Sequence, residues 1–354
     1  FWKKSAMNKL YLQSIVDDIS FDNLPVKWQG FEVAHFSQDK TLFDFQQQGL
    51  QNGLKALWLY YKDKNEKKNE FYEHYKANGF DEQLDYDCQK KGEGKTIKYL
   101  LEYDASYPAQ NKKIFFEHFI NCMSFWMATG SGKTLLIIKM VECLGKLIVD
   151  KEIPANDILF LAHRDDLLEQ FIRHVREFNR SQSNVRINLK NLRDYEHTKR
   201  THTLSFTSNE ITVFYYRSDL ISDEHKEKKV NFRNYDNKGK WFILLDEAHK
   251  GDKEDSKRQI LYSILSRNGF LFNFSATFTD PRDYATCVFE FNLSSFIENG
   301  YGKHIFVSKS EISAFRDKTD FSQVEKQKTV LKTLILLTYI NKYHGKIKKQ
   351  NKGL

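Results

Sequence analysis

The order of apolar and polar residues divides the chain into two textures. Between residues 41 and 61 the apolar side chains Leu42, Phe45, Leu50, Leu54, Leu57, Trp58 and Tyr61 recur near one helical face, which predicts a helix over 41–61. From about Phe115 the texture changes. Short apolar runs at 123–127, 158–162, 211–214, 241–245 and 270–274 alternate with helical patterns such as Leu135 to Leu147 and Asp165 to Phe178. That alternation predicts an α/β fold, a mostly parallel sheet with helices on both faces. Such sheets bind ligands at the carboxyl ends of their strands.

The remaining stretches are less regular. Residues 1–40 read as mixed and irregular, with Trp2 and Trp28 as buried anchors. Lys62 to Glu70 is a charge run, expected at an exposed helix end or loop. Residues 71–113 are polar and aromatic, with loop signals at Gly79, Gly92 and Gly94, so 62–113 reads as an insertion or small accessory subdomain. Lys190 to Asn209 is polar and expected as a loop or excursion, and residues 342–353 read as a basic, truncated end expected to be disordered. No internal repeat is present.

At 354 residues the chain has room for two domains, or for one α/β domain with a large insertion. The run from Thr333 to Ile340 is too short to span a membrane and predicts a buried strand or helix segment. No secretory signal pattern opens the chain. It begins at Phe1 rather than Met, which reads as a fragment. Cys88, Cys122, Cys143 and Cys287 lie scattered without metal-like spacing, which fits a reducing cytoplasm and no disulfide framework. Lys and Arg number 55 against 47 Asp and Glu, a net charge of +8 that favours an anionic partner such as nucleic acid. An AT-rich coding sequence would give the same surplus together with the 29 Phe, 18 Tyr and four Pro, so charge alone does not decide the partner.

Two local patterns carry chemistry. Residues 127–134 read Met127-Ala128-Thr129-Gly130-Ser131-Gly132-Lys133-Thr134, between a strand and a helix pattern. Glycines let a loop curl so that successive N–H groups face phosphate oxygens. Lys133 can reach the β and γ phosphates as a point charge, and Thr134 can offer a hydroxyl to Mg²⁺ at a helix N-terminus whose dipole favours anions. Met127 stands where such loops commonly have their first glycine. The second pattern is the apolar strand Trp241 to Leu245 running into Asp246 and Glu247. A carboxylate at that strand end suits Mg²⁺, and its neighbour can orient or deprotonate an attacking water. Together the patterns predict binding and hydrolysis of a nucleoside triphosphate.

With Asp246-Glu247-Ala248-His249 and Ser275-Ala276-Thr277, the loop resembles motifs I, II and III of superfamily 2 helicases and translocases. The likeness is greatest to the motor subunits of type III and type I restriction enzymes. It implies a RecA-like P-loop domain that uses ATP and Mg²⁺: Ala128 to Thr134 around the triphosphate, Thr134 and Asp246 on the metal, and Lys133, Asp246 and Glu247 in catalysis. His249, Ser275 and Thr277 are implied in coupling nucleotide state to nucleic-acid grip. Phe45-Gln46 resembles the family's adenine-reading glutamine motif, with Gln47 and Gln48 competing for the role. Residues 158–170 look like the segment that meets the nucleic-acid backbone, making Arg164 a candidate phosphate contact. In residues 211–220 the family's usual threonine is missing, with Tyr215 and Tyr216 there instead. That aromatic pair could stack on bases or simply fill a strand's buried face.

The implied organisation is an N-terminal segment (1–40), a glutamine-motif helix (41–61), the insertion (62–113), a first RecA-like domain (114–298) and the start of a truncated second one (299–354). Phe289 to Leu293 and 297–302 resemble the crossing into that second domain, and Lys303 to Val307 its first strand. In the family, arginines from the partner domain complete the site, so the isolated 354 residues are expected to bind ATP and hydrolyse it weakly. The implied function is an ATP-dependent helicase or translocase motor of a restriction-type system. Its implied partners are single- or double-stranded DNA and a methyltransferase or specificity subunit. Two other readings are an ATP-dependent nuclease with its cutting residues in this chain, and a nucleotide-gated DNA-binding module that does not translocate.

Overall fold

The computed structural model describes residues 9–62, 68–90, 94–181, 185–200, 206–207, 209–224, 229–247 and 253–301, with scattered positions between 324 and 342. At 94–96 and 253–256 only the backbone is described. Phe1–Gly302 form one compact unit and Lys303–Leu354 a second.

The described residues of the first unit build one seven-stranded sheet in which every pairing is parallel. In chain order its strands are β1 (Cys122–Met127), β2 (Asp157–Ala162), β3 (Arg186–Asn191), β4 (Glu210–Arg217), β5 (Trp241–Asp246), β6 (Phe270–Ser275) and β7 (Cys287–Phe291). In space the order is β7-β1-β6-β5-β2-β4-β3. Strands β2, β5 and β6 are buried along their whole length, as continuous apolar runs covered on both faces should be. The α/β expectation is met, and each of the five apolar runs read from the sequence lies in this sheet.

Helix α3 (Lys133–Val149) connects β1 to β2, α4 (Asp165–Ser181) connects β2 to β3, α5 (Lys253–Leu265) connects β5 to β6, and α6 (Pro281–Ala285) leads into β7. The first two crossovers run toward the β3 edge and the last two toward the β7 edge. Parallel crossovers are right-handed, so opposite directions of travel put the two sets of helices on opposite faces.

Two strands differ from the sequence reading. Lys190 to Asn209 is not simply a loop: β3 ends at Asn191, and the helix Tyr195–Arg200 follows. As an edge strand, β3 buries only Ile187 fully and keeps Asn188 and Lys190 part-exposed, so it shows no apolar run. Phe289 to Phe291, read as part of a crossing segment, instead belongs to the opposite edge strand and pairs with β1.

The glutamine-motif helix α1 (Asp44–Tyr61) forms as the periodicity predicts. Gly49 and Gly53, one turn apart, give it a face without side chains. A Cβ at Gly49 would lie 2.9 Å from the Phe289 ring, and one at Gly53 would meet Met140 on α3 and Phe125 on β1. Mid-helix glycines cost about 1 kcal/mol each relative to Ala. Here they let α1 lie close against β7 and α3, which brings its first turn to the phosphate loop.

The segment before α1 is more ordered than its composition suggests. It contains the helix Tyr11–Asp17 and the antiparallel pair His35–Ser37 and Lys40–Thr41. Trp28 is a buried anchor, as expected, and donates its indole N–H to Glu152 at 3.1 Å; Trp2 lies outside the described residues. The described residues of 62–113 pack on the sheet domain through α2 (Gly94–Leu101), which lies along α5. Tyr107, buried, donates to the Ser263 carbonyl at 2.8 Å, and Tyr99 and Lys257 each donate to Asp223 at 2.5 Å.

In the second unit, the described positions within 333–340 are helical and exposed, Leu334 and Ile335 among them, rather than buried as expected. The expected strand at 303–307 lies outside the described residues. Among the described residues no helix is long and apolar enough to cross a membrane.

Candidate nucleotide-binding and motor site

The loop after β1 turns sharply at two left-handed residues, Gly130 (φ +84°) and Gly132 (φ +79°). They differ in surroundings. Gly130 has open space where a Cβ would stand, so only its backbone conformation asks for glycine. A Cβ at Gly132 would collide with the amide nitrogen of Gln46. Met127 needs no glycine, because it is the buried last residue of β1 and pairs with Phe291. The departure from the usual loop pattern therefore falls on a strand position.

Gly132 also starts α3. Its carbonyl accepts from the N–H groups of Leu135 at 3.0 Å and Leu136 at 3.4 Å, and no side chain caps the helix. The first-turn N–H groups of an α-helix have no partner within the helix, and their dipole favours an anion. Lys133 folds back over the loop, its ammonium 3.4 Å from the Met127 carbonyl and 3.3 Å from that of Ala128. Burial lowers its pKa, and the charges of Asp246 and Glu247 partly oppose that shift. Thr134 is buried and Thr129 exposed. The Ser131 hydroxyl is buried without a hydrogen-bond partner among the described residues.

Gln46 is where the fold adds most to the sequence. It is buried, accepts the Phe43 N–H through Oε1 at 2.8 Å and donates through Nε2 to the Ser131 carbonyl at 2.7 Å. The long separation in sequence is thus bridged in space. Gln47, the neighbouring candidate, turns back to the Leu42 carbonyl instead.

Asp246 ends β5 with its neighbours in register at Ala162 on β2 and Phe274 on β6. Its carboxyl is almost completely buried, and that desolvation pushes its pKa up to about 6, against the opposing pull of Lys133. Glu247 follows in a left-handed conformation (φ +57°), which costs a non-glycine residue roughly 1–2 kcal/mol, and its N–H donates to Asp246 Oδ1 at 3.0 Å. Strain held at such a position is common where geometry serves chemistry. His249 lies outside the described residues.

Ser275 closes a local turn: its hydroxyl donates to the Thr277 carbonyl at 2.7 Å and accepts the Thr277 N–H at 3.1 Å. One contact here has no local sequence signal. Trp126, on the strand that feeds the phosphate loop, donates its indole N–H to the Ala276 carbonyl at 3.0 Å. The strand that leads into the phosphate loop is therefore tied directly to the turn at 275–277. Arg164 stands just past the end of β2, 57% exposed, in a surface pair with Asp166 at 3.2 Å. Tyr216 is buried and Tyr215 half-buried at the end of β4.

The residues fit the ligands the sequence implies. A left-handed loop whose Gly132 lies against the Gln46 amide, an orphaned buried hydroxyl on Ser131 and a desolvated lysine suit a triphosphate. Mg²⁺ prefers hard oxygen ligands, and a buried carboxyl beside a threonine-bearing helix start offers them.

The fold and this site define an ATP-dependent motor domain of the helicase type. In agreement, the family profile described as type III restriction enzyme, res subunit, matches residues 95–280, just over half of the chain. The chain belongs to that family. Comparison with curated proteins found no significant match.

Proposed function

We propose that this chain is the ATP-hydrolysing part of a DNA translocase or helicase in a restriction-type system. The observation that carries the reading is the convergence of Lys133 and Asp246 at the carboxyl edge of one parallel sheet, in a member of the type III restriction enzyme res subunit family.

The chemistry follows from the side chains. Lys133 exchanges its two backbone carbonyl contacts for the β and γ phosphates, and the loop N–H groups and the start of α3 face the same oxygens. Thr134 and Asp246 would hold Mg²⁺, whose charge neutralises the phosphate oxygens as the terminal bond breaks. Glu247 takes the proton of the attacking water as its oxygen bonds to the γ phosphorus, and the bond to the bridging oxygen of ADP breaks. Gln46 holds the loop through Ser131. Ser275, Thr277 and His249 transmit the change toward DNA, and Arg164 supplies a phosphate contact.

ATP hydrolysis measured with and without single- and double-stranded DNA tests this reading. Turnover by the 354 residues is expected to be slow in every case, so the readout is the ratio of the rates with and without DNA. A ratio above one supports a motor, and a ratio of one with both forms contradicts it. ATP binding that alters DNA affinity without turnover would identify a nucleotide-gated module instead.

A further inference from the structure

The carboxyl ends of β4 and β3 border a cleft of about 340 Å³ beside the start of α4. That volume lies within the range of small-ligand pockets. Its wall carries Tyr215, Tyr216, Arg193, Arg217, Asn191 and Leu168. Nothing in the nucleotide chemistry uses these residues.

The charges in the cleft select what can enter. Arg217 forks onto Asp219 with bonds of 2.9 and 2.6 Å and also donates to Asp165 at 2.7 Å. One guanidinium is thus held by two carboxylates, and the floor offers no net positive charge to an isolated phosphate. Arg193, exposed at the rim, lies over the Tyr216 ring with its guanidinium carbon 5.8 Å from the centroid, and donates Nε to the Tyr216 hydroxyl at 3.0 Å. Tyr215 is half-buried, opposite Asn191 in the β3–β4 register. A floor of one guanidinium and two carboxylates is net negative and keeps an anion out of the cleft, whereas the exposed Arg193 can meet one at its edge. The aromatic wall therefore suits a neutral planar group that carries an anion behind it. A nucleobase with its phosphate has that form, since bases stack on tyrosine rings and on guanidinium planes.

We propose that this cleft takes one unstacked base of single-stranded nucleic acid, with the base against Tyr215 and the adjoining phosphate at Arg193. Resting on the motor reading above, the inference adds that the strand is gripped by a base and not only by its backbone. A paired base inside a duplex is stacked between its neighbours and cannot enter.

The test titrates the 354-residue chain with a single-stranded oligonucleotide containing 2-aminopurine, with duplex DNA and with adenosine monophosphate. Wild type should alter the 2-aminopurine fluorescence. Tyr215→Ala should weaken single-strand binding about tenfold, the scale of one lost base–aromatic stack. Tyr215→Phe should bind as wild type does, and duplex affinity and ATP affinity should be unchanged in both variants, which also reports intact folding. Single-strand affinity unchanged in Tyr215→Ala overturns the inference and leaves the motor reading standing. Equal losses for single strand and duplex point to a backbone contact and overturn it as well. Tyr215-dependent binding of adenosine monophosphate without the oligonucleotide would assign the cleft to a free nucleotide, against the proposal. A wild-type chain that binds no DNA of either form overturns both readings.

Discussion

Gln46 Nε2 donates to the carbonyl of Ser131 across 85 residues of sequence, at 2.7 Å. This bond joins the start of α1 to the phosphate loop, while the other end of the same amide accepts the Phe43 N–H at 2.8 Å. The glutamine is therefore built into the loop's support. A buried bond of this kind contributes about 1 kcal/mol net, and removing one partner leaves the other unsatisfied at a cost of about 1–3 kcal/mol.

Gln46→Ala should accordingly weaken ATP and GTP alike, by roughly tenfold. Competition binding with both nucleotides checks it. A loss confined to ATP would assign the amide to reading the adenine edge rather than to holding the loop.

The two loop glycines should respond differently to substitution. Gly130→Ala incurs only the left-handed backbone penalty, about 1–2 kcal/mol. Gly132→Ala incurs the same penalty and also strikes the Gln46 amide, so denaturant unfolding should show a larger loss. Adding Gln46→Ala to Gly132→Ala removes the collision, and a double-mutant cycle should reveal favourable coupling. Equal losses at the two glycines, with no coupling, would show that the amide does not press on the loop.

Asp246 makes the ligand-free protein sensitive to pH. Its folded pKa, about 6, lies above the ordinary 3.8 because burial disfavours the carboxylate. The sign is the reverse of the usual carboxylate case. Protonated Asp246 contributes its full stability below about pH 4, and that contribution falls as the pH rises through 6. A shift of this size amounts to about 3 kcal/mol. Asp246→Asn, which does not titrate, should melt above wild type at pH 8, above it by about half that margin at pH 5, and close to it only below about pH 4, while losing hydrolysis throughout. Melting below wild type at pH 8 would show that the carboxylate is stabilised in the empty site.

The parts of the site that were legible in the sequence are those whose residues are neighbours in it. Residues 127–134 and Asp246-Glu247 sit at strand ends, and a strand followed by a helix or turn leaves a local pattern. The core strands β2, β5 and β6 were legible because both their faces are covered, which makes each a continuous apolar run. Edge strands lack that signature. β3 keeps Lys190 and Asn188 part-exposed, and β7 hid within a stretch that resembled an interdomain crossing.

Contacts between distant segments were not legible at all. No local pattern announces that Trp126 will hold the Ala276 carbonyl, or that Gly49 and Gly53 will let α1 approach closely enough for Gln46 to reach Ser131. Gln46 as a candidate came from resemblance, and its partner came from the fold. The ordering of residues 62–113 is another such case. Tyr99 and Tyr107 read as scattered aromatics, yet they anchor α2 and the turn after it to Asp223 and to α5.

Lys133 is the residue proposed to exchange its contacts with the Met127 and Ala128 carbonyls for a triphosphate. Titration calorimetry of ATP·Mg²⁺ into wild type and Lys133→Ala, with circular dichroism to confirm the fold, measures this most directly. The account predicts saturable binding by wild type and no detectable binding by a folded Lys133→Ala variant. Equal ATP affinity in the two proteins, or a folded wild type that binds no ATP, would contradict it.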